Sequence, residues 1–127
     1  MYDCNFVDTM KKVYYLSTCN TCKKIMASLG GALNDFEQQD IKVDKITPDQ
    51  VDAMKALAGS YENIFTRRSM KYRAMGLADK TLGEEDYRSL ILEEYTFLKR
   101  PVFLVGDKIF IGNSKQTVAD LQQAVNG

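Results

Sequence analysis

Two cysteines stand three residues apart where a strand-like run gives way to a helix-like one. Val13-Tyr14-Tyr15-Leu16 is β-branched, aromatic and apolar, as a buried strand requires, and from Cys22 onward Ile25, Met26, Leu29 and Leu33 recur at the spacing of one helical face. Between them lies the polar tract Ser17-Thr18-Cys19-Asn20-Thr21-Cys22. The pattern puts Cys19 just before, or at, the first turn of a helix. There the unpaired backbone N–H groups and the positive end of the helix dipole favour a thiolate over a thiol. Lys23 and Lys24 add positive charge nearby, and a cysteine so placed ionises below its free value of about 8.5. Cys22, one turn on, is close enough to attack an adduct on Cys19 and release it as an internal disulfide. The pair therefore reads as a redox site with Cys19 as catalytic nucleophile and Cys22 as resolving thiol. One alternative is half a zinc site, but tetrahedral zinc needs four ligands, and only Cys4 and no histidine is left to supply them. The other is a pair of small buried residues with no chemistry, for which a polar tract at a strand end is a poor setting.

The rest of the composition bounds the setting. A chain of 127 residues can bury one core, which predicts a single domain over 1–127 with residues 1–11 as an N-terminal extension. Basic and acidic residues balance at 17 each, so no global field recruits nucleic acid or a membrane surface. No apolar run approaches the ~20 residues of a membrane span, and Met1-Tyr2-Asp3-Cys4-Asn5-Phe6 lacks the features of a signal peptide. The expected location is the cytoplasm, where thiols stay reduced and a C-x-x-C pair is catalytic or sensing rather than a staple. Cys4 reads as a bystander, with a regulatory or intermolecular disulfide as its alternative.

Taken in order, the pattern predicts a strand at 12–16, the thiol loop, and a helix ending near Gly30-Gly31 or Asn34. A second strand follows within Phe36–Val43, burying Phe36, Ile41 and Val43. Thr47-Pro48-Asp49-Gln50 is a helix start with a capping box, and Val51, Met54, Leu57 and Ala58 form the apolar face before Gly59. From Ser60 to Tyr95 the pattern is helical throughout, with Tyr61, Ile64, Phe65, Met70, Tyr72, Met75 and Leu77 read as core. Thr81-Leu82-Gly83-Glu84 fits a further capping box ahead of Tyr87, Leu90 and Ile91. Then come two apolar runs, Val102–Val105 and Ile109–Ile111, about a Gly106-Asp107 turn, which read as a β-hairpin. Asn113 or Ser114 can cap a last helix with Val118, Leu121 and Val125 on one face. With the helical middle at about 60–97 set aside, the order is that of an α/β, thioredoxin-like three-layer domain with a mixed four-stranded sheet and an all-helical insertion.

The chain resembles the arsenate reductase and Spx family. The resemblance rests on the strand before Cys19-x-x-Cys22-Lys23-Lys24, on Phe65-Thr66-Arg67-Arg68-Ser69, and on Leu98-Lys99-Arg100-Pro101-Val102. It implies a catalytic cysteine at Cys19 and anion-binding arginines at Arg100 and Arg68, with Arg67 as the alternative one residue away. Guanidinium forks suit a tetrahedral oxyanion or a thiolate. The competing reading of Arg67, Arg68, Lys71 and Arg73 is the wet face of a helix. Pro101 resembles the proline that adopts a cis peptide beside the thiol in such folds. The resemblance also implies no bound cofactor, glutathione with glutaredoxin or thioredoxin as electron donor, and a small oxyanion or a disulfide as substrate.

Departures cut into the arsenate reading. Cys22 and Lys23 stand where arsenate reductases of the family carry serine and arginine, Tyr15 stands at a frequent histidine, and Gly112 replaces a further arginine. These features are closer to Spx, a redox-sensing regulator that binds the RNA polymerase α subunit. Two expectations result: a thiol oxidoreductase of the arsenate reductase type, monomeric and without direct nucleic-acid contact, or a regulator whose cysteine pair is a switch.

Overall fold

The protein is described from a computed structural model over residues 11–126. Its elements run β1 (Lys11–Tyr15), α1 (Asn20–Ser28), β2 (Glu37–Asp40), α2 (Pro48–Ala58), α3 (Met70–Ala74), α4 (Glu84–Glu93), β3 (Val102–Val105), β4 (Lys108–Ile111) and α5 (Lys115–Asn126), with short 3-10 segments between several of them. The chain forms two compact units, one made of the residues up to Asp44 with those from Arg100 onward, the other of Lys45–Lys99. Cys4 and nearly all of the N-terminal extension lie outside the described residues.

The first unit is built on a mixed four-stranded sheet in the order β2-β1-β3-β4. β1 pairs parallel with β2 and antiparallel with β3, and β3 turns back antiparallel into β4. Register places Val13 opposite Phe103, and strand alternation sends both to one face. There they meet Ile25, Met26 and Leu29 of the first helix region, Phe36, and Leu121 of α5 in one buried cluster. Phe36 and Phe103 meet edge to face with ring centroids 5.5 Å apart. Alternation sends Tyr14 and Val102, also paired across the strands and also buried, to the opposite face. The hairpin turn has Gly106 at φ +61°, the positive value that a two-residue turn between twisted strands needs. Ser114 starts α5 by accepting the Thr117 N–H at 3.1 Å.

The second strand is shorter than its hydrophobic pattern suggests. Phe36 and Ile41 are buried at its two flanks, but Val43 is 83% exposed. The cause is a turn after Asp40, whose carbonyl accepts the N–H groups of Val43 and Asp44 at 3.1 and 2.8 Å. Within the strand the buried side chain is polar: Gln39 donates through Nε2 to the Asp44 carbonyl at 3.0 Å.

In the helical unit, α2 starts as the sequence predicts. Thr47 Oγ1 accepts the Gln50 N–H at 3.2 Å while Gln50 Oε1 accepts the Thr47 N–H at 3.1 Å, and Pro48 stands in the first turn. Val51 and Met54 are buried, whereas Leu57 is partly exposed. Because this unit begins at Lys45, α2 groups with the helical middle expected at about 60–97. That middle is not one continuous run of helix. Single 3-10 turns at Glu62–Ile64 and Leu77–Asp79 flank the five-residue α3, and Met70 and Met75 face outward rather than into the core. So short a helix turns only part of its circumference inward. Its Tyr72 ring meets Phe65 at 6.3 Å, and Phe65 in turn lies 5.1 Å from Phe97 and 4.8 Å from Tyr87. The α4 cap sits two residues later than predicted: Asp86 Oδ2 accepts the Gly83 N–H at 2.8 Å, and Thr81 plays no part. Asp52 takes a forked bond from Arg88 at 2.8 and 3.3 Å and a third from the Tyr61 hydroxyl at 2.7 Å, tying α2 to α4.

Replacing Phe103 by alanine should lower stability in chemical denaturation by about 3–5 kcal/mol, because a buried ring leaves a cavity. Thr47→Ala, which removes one cap, should cost only about 0.5–2 kcal/mol. The reverse order would contradict the placement of the core.

Candidate thiol site

The site begins where β1 stops. After Tyr15 the chain makes a tight turn, closed by the Cys19 N–H donating to the Leu16 carbonyl at 2.9 Å. Cys19 has extended backbone (φ −97°, ψ 111°) and is the N-cap of α1, its Sγ accepting the Cys22 N–H at 3.4 Å. Serine, threonine, aspartate or asparagine usually does this through oxygen. Here a sulfur atom satisfies one of the helix's open donors, and the ionised sulfur is the better acceptor. Both cysteines are free thiols, Cys19 half-buried and Cys22 with no exposed surface.

Their environments push them apart. Partial burial works against ionisation of Cys19. It is outweighed by the N–H and thiol of Cys22, the charge of Arg100 and the Thr21 N–H, and the net effect is a lowered pKa. Burial is the main cause that pushes Cys22 up, to about 11, and the neighbouring Cys19 adds to it. At neutral pH the arrangement makes Cys19 the more thiolate-like sulfur and keeps Cys22 protonated beneath it.

Arg100 reaches the thiols through topology. β3 is antiparallel to β1, with Val102 opposite Tyr14, so the residues that open β3 stand where β1 ends. Arg100 is half-buried there, and the Arg100–Pro101 peptide is cis, with Pro101 buried. Lys23 and Lys24, by contrast, are exposed on α1. Tyr15 packs against the sheet core. Gly112 adopts φ +88° and donates its N–H to the Pro101 carbonyl at 2.9 Å. Among the described residues no group of His, Cys, Asp and Glu could hold a metal ion.

Cys19, Cys22, Arg100 and Pro101 thus come together in the sheet unit, whereas Arg67 and Arg68 belong to the helical unit. The latter two differ sharply. Arg67 is engaged inside its own unit: its guanidinium donates to Glu62 at 2.9 Å and to the Tyr87 hydroxyl at 2.7 Å, and lies over the Tyr87 ring at 5.5 Å. The Arg68 side chain is exposed and has no hydrogen bond among the described residues. Of the two, Arg68 has the guanidinium open to a ligand. One contact to the thiol loop has no signal in spacing or pattern. The Asp40 carboxylate accepts the Ser17 N–H at 3.3 Å, a bond that exists only because β2 lies parallel to β1 with Asp40 beside Tyr15.

The profile of the ArsC family matches residues 14–121. The global transcriptional regulator Spx 2 of Bacillus anthracis is 25% identical over 111 residues, covering 86% of this chain and 84% of the relative. Among solved structures, a possible arsenate reductase from Streptococcus mutans UA159 superposes with a TM-score of 0.71 at 25% identity, covering 89% of this chain and 98% of that one. An arsenate reductase from Vibrio cholerae gives 0.70 at 15% identity, with 88% and 97% covered.

Peptide-mapped alkylation of the reduced protein near pH 7 should modify Cys19 well ahead of Cys22. Arg100→Ala removes a charge that favours the thiolate, so the pH profile of Cys19 should move upward and its rate near neutrality fall by about threefold or more. An unmoved profile would remove Arg100 from the site.

Proposed function

The chain belongs to the ArsC family, and from that premise we propose that it is a thiol-redox protein working through Cys19 and Cys22. The observation that carries the reading is the asymmetry of the pair: one sulfur capping a helix beside Arg100 with its ionisation favoured, the other buried one turn on with its ionisation opposed. With a disulfide substrate, the Cys19 thiolate attacks one sulfur, forms a mixed disulfide and expels the other sulfur as a thiolate. Cys22 then loses its proton and attacks Cys19 Sγ, releasing the second substrate thiolate and leaving a Cys19–Cys22 disulfide. With arsenate, Cys19 displaces an oxygen as water, and attack by Cys22 on the adducted sulfur passes two electrons to arsenic and leaves the same disulfide. In both cases a cellular dithiol, or glutathione through glutaredoxin, returns two electrons. Arg100 neutralises the entering charge, and the family resemblance assigns anion binding to Arg68, whose guanidinium is exposed. Pro101 shapes the backbone beside the thiol.

A second reading is favoured by one finding, the similarity to Spx 2. In it the Cys19–Cys22 pair is a switch, and the partner is the RNA polymerase α subunit. Both readings suit a monomer in a reducing compartment with no bound cofactor.

Arsenate and a glutathione mixed disulfide should each be offered to the wild type, Cys19→Ser and Cys22→Ser, with glutaredoxin and thioredoxin systems as donors. Turnover by the wild type, abolished in Cys19→Ser and trapped as an adduct in Cys22→Ser, is the outcome expected of an oxidoreductase. Failure to turn over either substrate, with α-subunit capture that depends on the oxidation state of the pair, would replace the enzyme with the switch.

A further inference from the structure

The turn that delivers Cys19 to the head of α1 is held from outside the motif. Asp40 is the last residue of β2 and stands beside Tyr15 in the parallel register. Beyond that pair one more ladder bond forms, the Ile41 N–H donating to the Tyr15 carbonyl at 3.0 Å. The Asp40 side chain then reaches across the strand ends. Its Oδ1 accepts the Ser17 N–H at 3.3 Å and the Lys42 N–H at 3.2 Å. One oxygen therefore joins the turn that precedes Cys19 to the turn that ends β2. Ser17 is the first residue inside the turn closed by the Cys19 N–H on Leu16. Any drift of its peptide plane passes along two residues to the sulfur.

We propose that Asp40 is a positioning residue for the thiol: by fixing the Ser17 amide it holds Cys19 in the N-cap geometry in which the sulfur meets the Cys22 N–H. The proposal rests on the reading of Cys19 as the nucleophile. Its chemistry has a distinctive sign. A carboxylate near a thiol opposes thiolate formation through its charge, so what Asp40 contributes must come from the hydrogen bond and not from the field. Partial burial acts to raise the Asp40 pKa, but the Ser17 hydroxyl and the Lys42 and Ser17 amides outweigh it, so the group stays ionised and accepting at neutral pH. Removing the charge and removing the acceptor therefore have opposite consequences, and two substitutions separate them.

The test is the pH profile of Cys19 alkylation in the full-length reduced chain, for the wild type, Asp40→Ala and Asp40→Asn. Asp40→Ala should slow Cys19 near pH 7 by about threefold or more and move its profile upward, as expected of a sulfur that has lost its cap geometry. Asp40→Asn, which keeps an acceptor oxygen and loses the charge, should restore most of that rate. An alanine variant that behaves as the wild type overturns the proposal, as does an asparagine variant as impaired as the alanine one. Should the variants fail to fold, the wild type decides through its amide spectrum. The Ser17 and Lys42 amide protons should both shift in acid as Asp40 titrates, and a Ser17 amide that does not follow removes the bond. An ordinary, slow Cys19 in the wild type would sink the nucleophile reading itself, whereas a fast Cys19 indifferent to Asp40→Ala sinks only the positioning role.

Discussion

A single bond, from the Cys22 amide to the Cys19 sulfur, links structure to chemistry in this protein. A helix must satisfy the open donors of its first turn with some acceptor, and here that acceptor is the sulfur whose ionisation is favoured. The need that starts α1 is thus the same need that favours the thiolate. Local folding and sulfur reactivity cannot be changed separately: a substitution that loosens the cap also withdraws the donor that lowers the Cys19 pKa. The second sulfur has the opposite setting. Because Cys22 is on the inward side of α1's first turn, the packing that buries the helix face against the sheet also buries its thiol and keeps it protonated.

The sheet converts distance along the chain into proximity. β1 is central, with β2 parallel on one side and β3 antiparallel on the other, so three chain segments meet where it ends. The turn leading to Cys19 comes from β1 itself, Asp40 from the end of β2, and Arg100 with Pro101 from the start of β3. One ladder therefore gathers a thiol, a carboxylate that accepts a backbone amide and a cation. The core beneath is apolar and tightly placed: Val13 and Phe103 face the first helix and Leu121 through residues that have no polar atom to satisfy.

The helical unit uses its charges in two ways. Asp52, Arg88, Tyr61, Glu62 and Arg67 are committed to one another and to Tyr87, in contacts that fix how α2, the 3-10 turn and α4 meet. Arg68, Lys71 and Arg73 remain exposed. The adjacent arginines thus differ, Arg67 anchored to Glu62 and Tyr87 within the unit and Arg68 an exposed cation. Sequence could not separate them, since a neighbour in the chain is a neighbour in composition; only the position of Glu62 and Tyr87 decides which guanidinium is occupied.

What the sequence determined by itself was everything set by short-range rules. Val13–Leu16 next to the helical repeat from Ile25 specified a strand, a loop and a helix with Cys19 at the junction, because strand and helix periods differ within a few residues. Thr47 with Gln50, and Gly106 with Asp107, specified a helix start and a hairpin turn, because capping and positive φ are local demands. Where local signals competed, the structure shows which prevailed: Gly83 with Asp86 displaced Thr81 as the cap, Val43 was turned out by the bend after Asp40, and Met70 and Met75 were left exposed at the two ends of the short α3. The partners of the thiols were decided by tertiary structure alone. Arg100 acts on Cys19 because β3 runs antiparallel to β1, and Asp40 touches Ser17 because β2 runs parallel to it; strand order and register are fixed by the shared core, and no spacing in the chain encodes them.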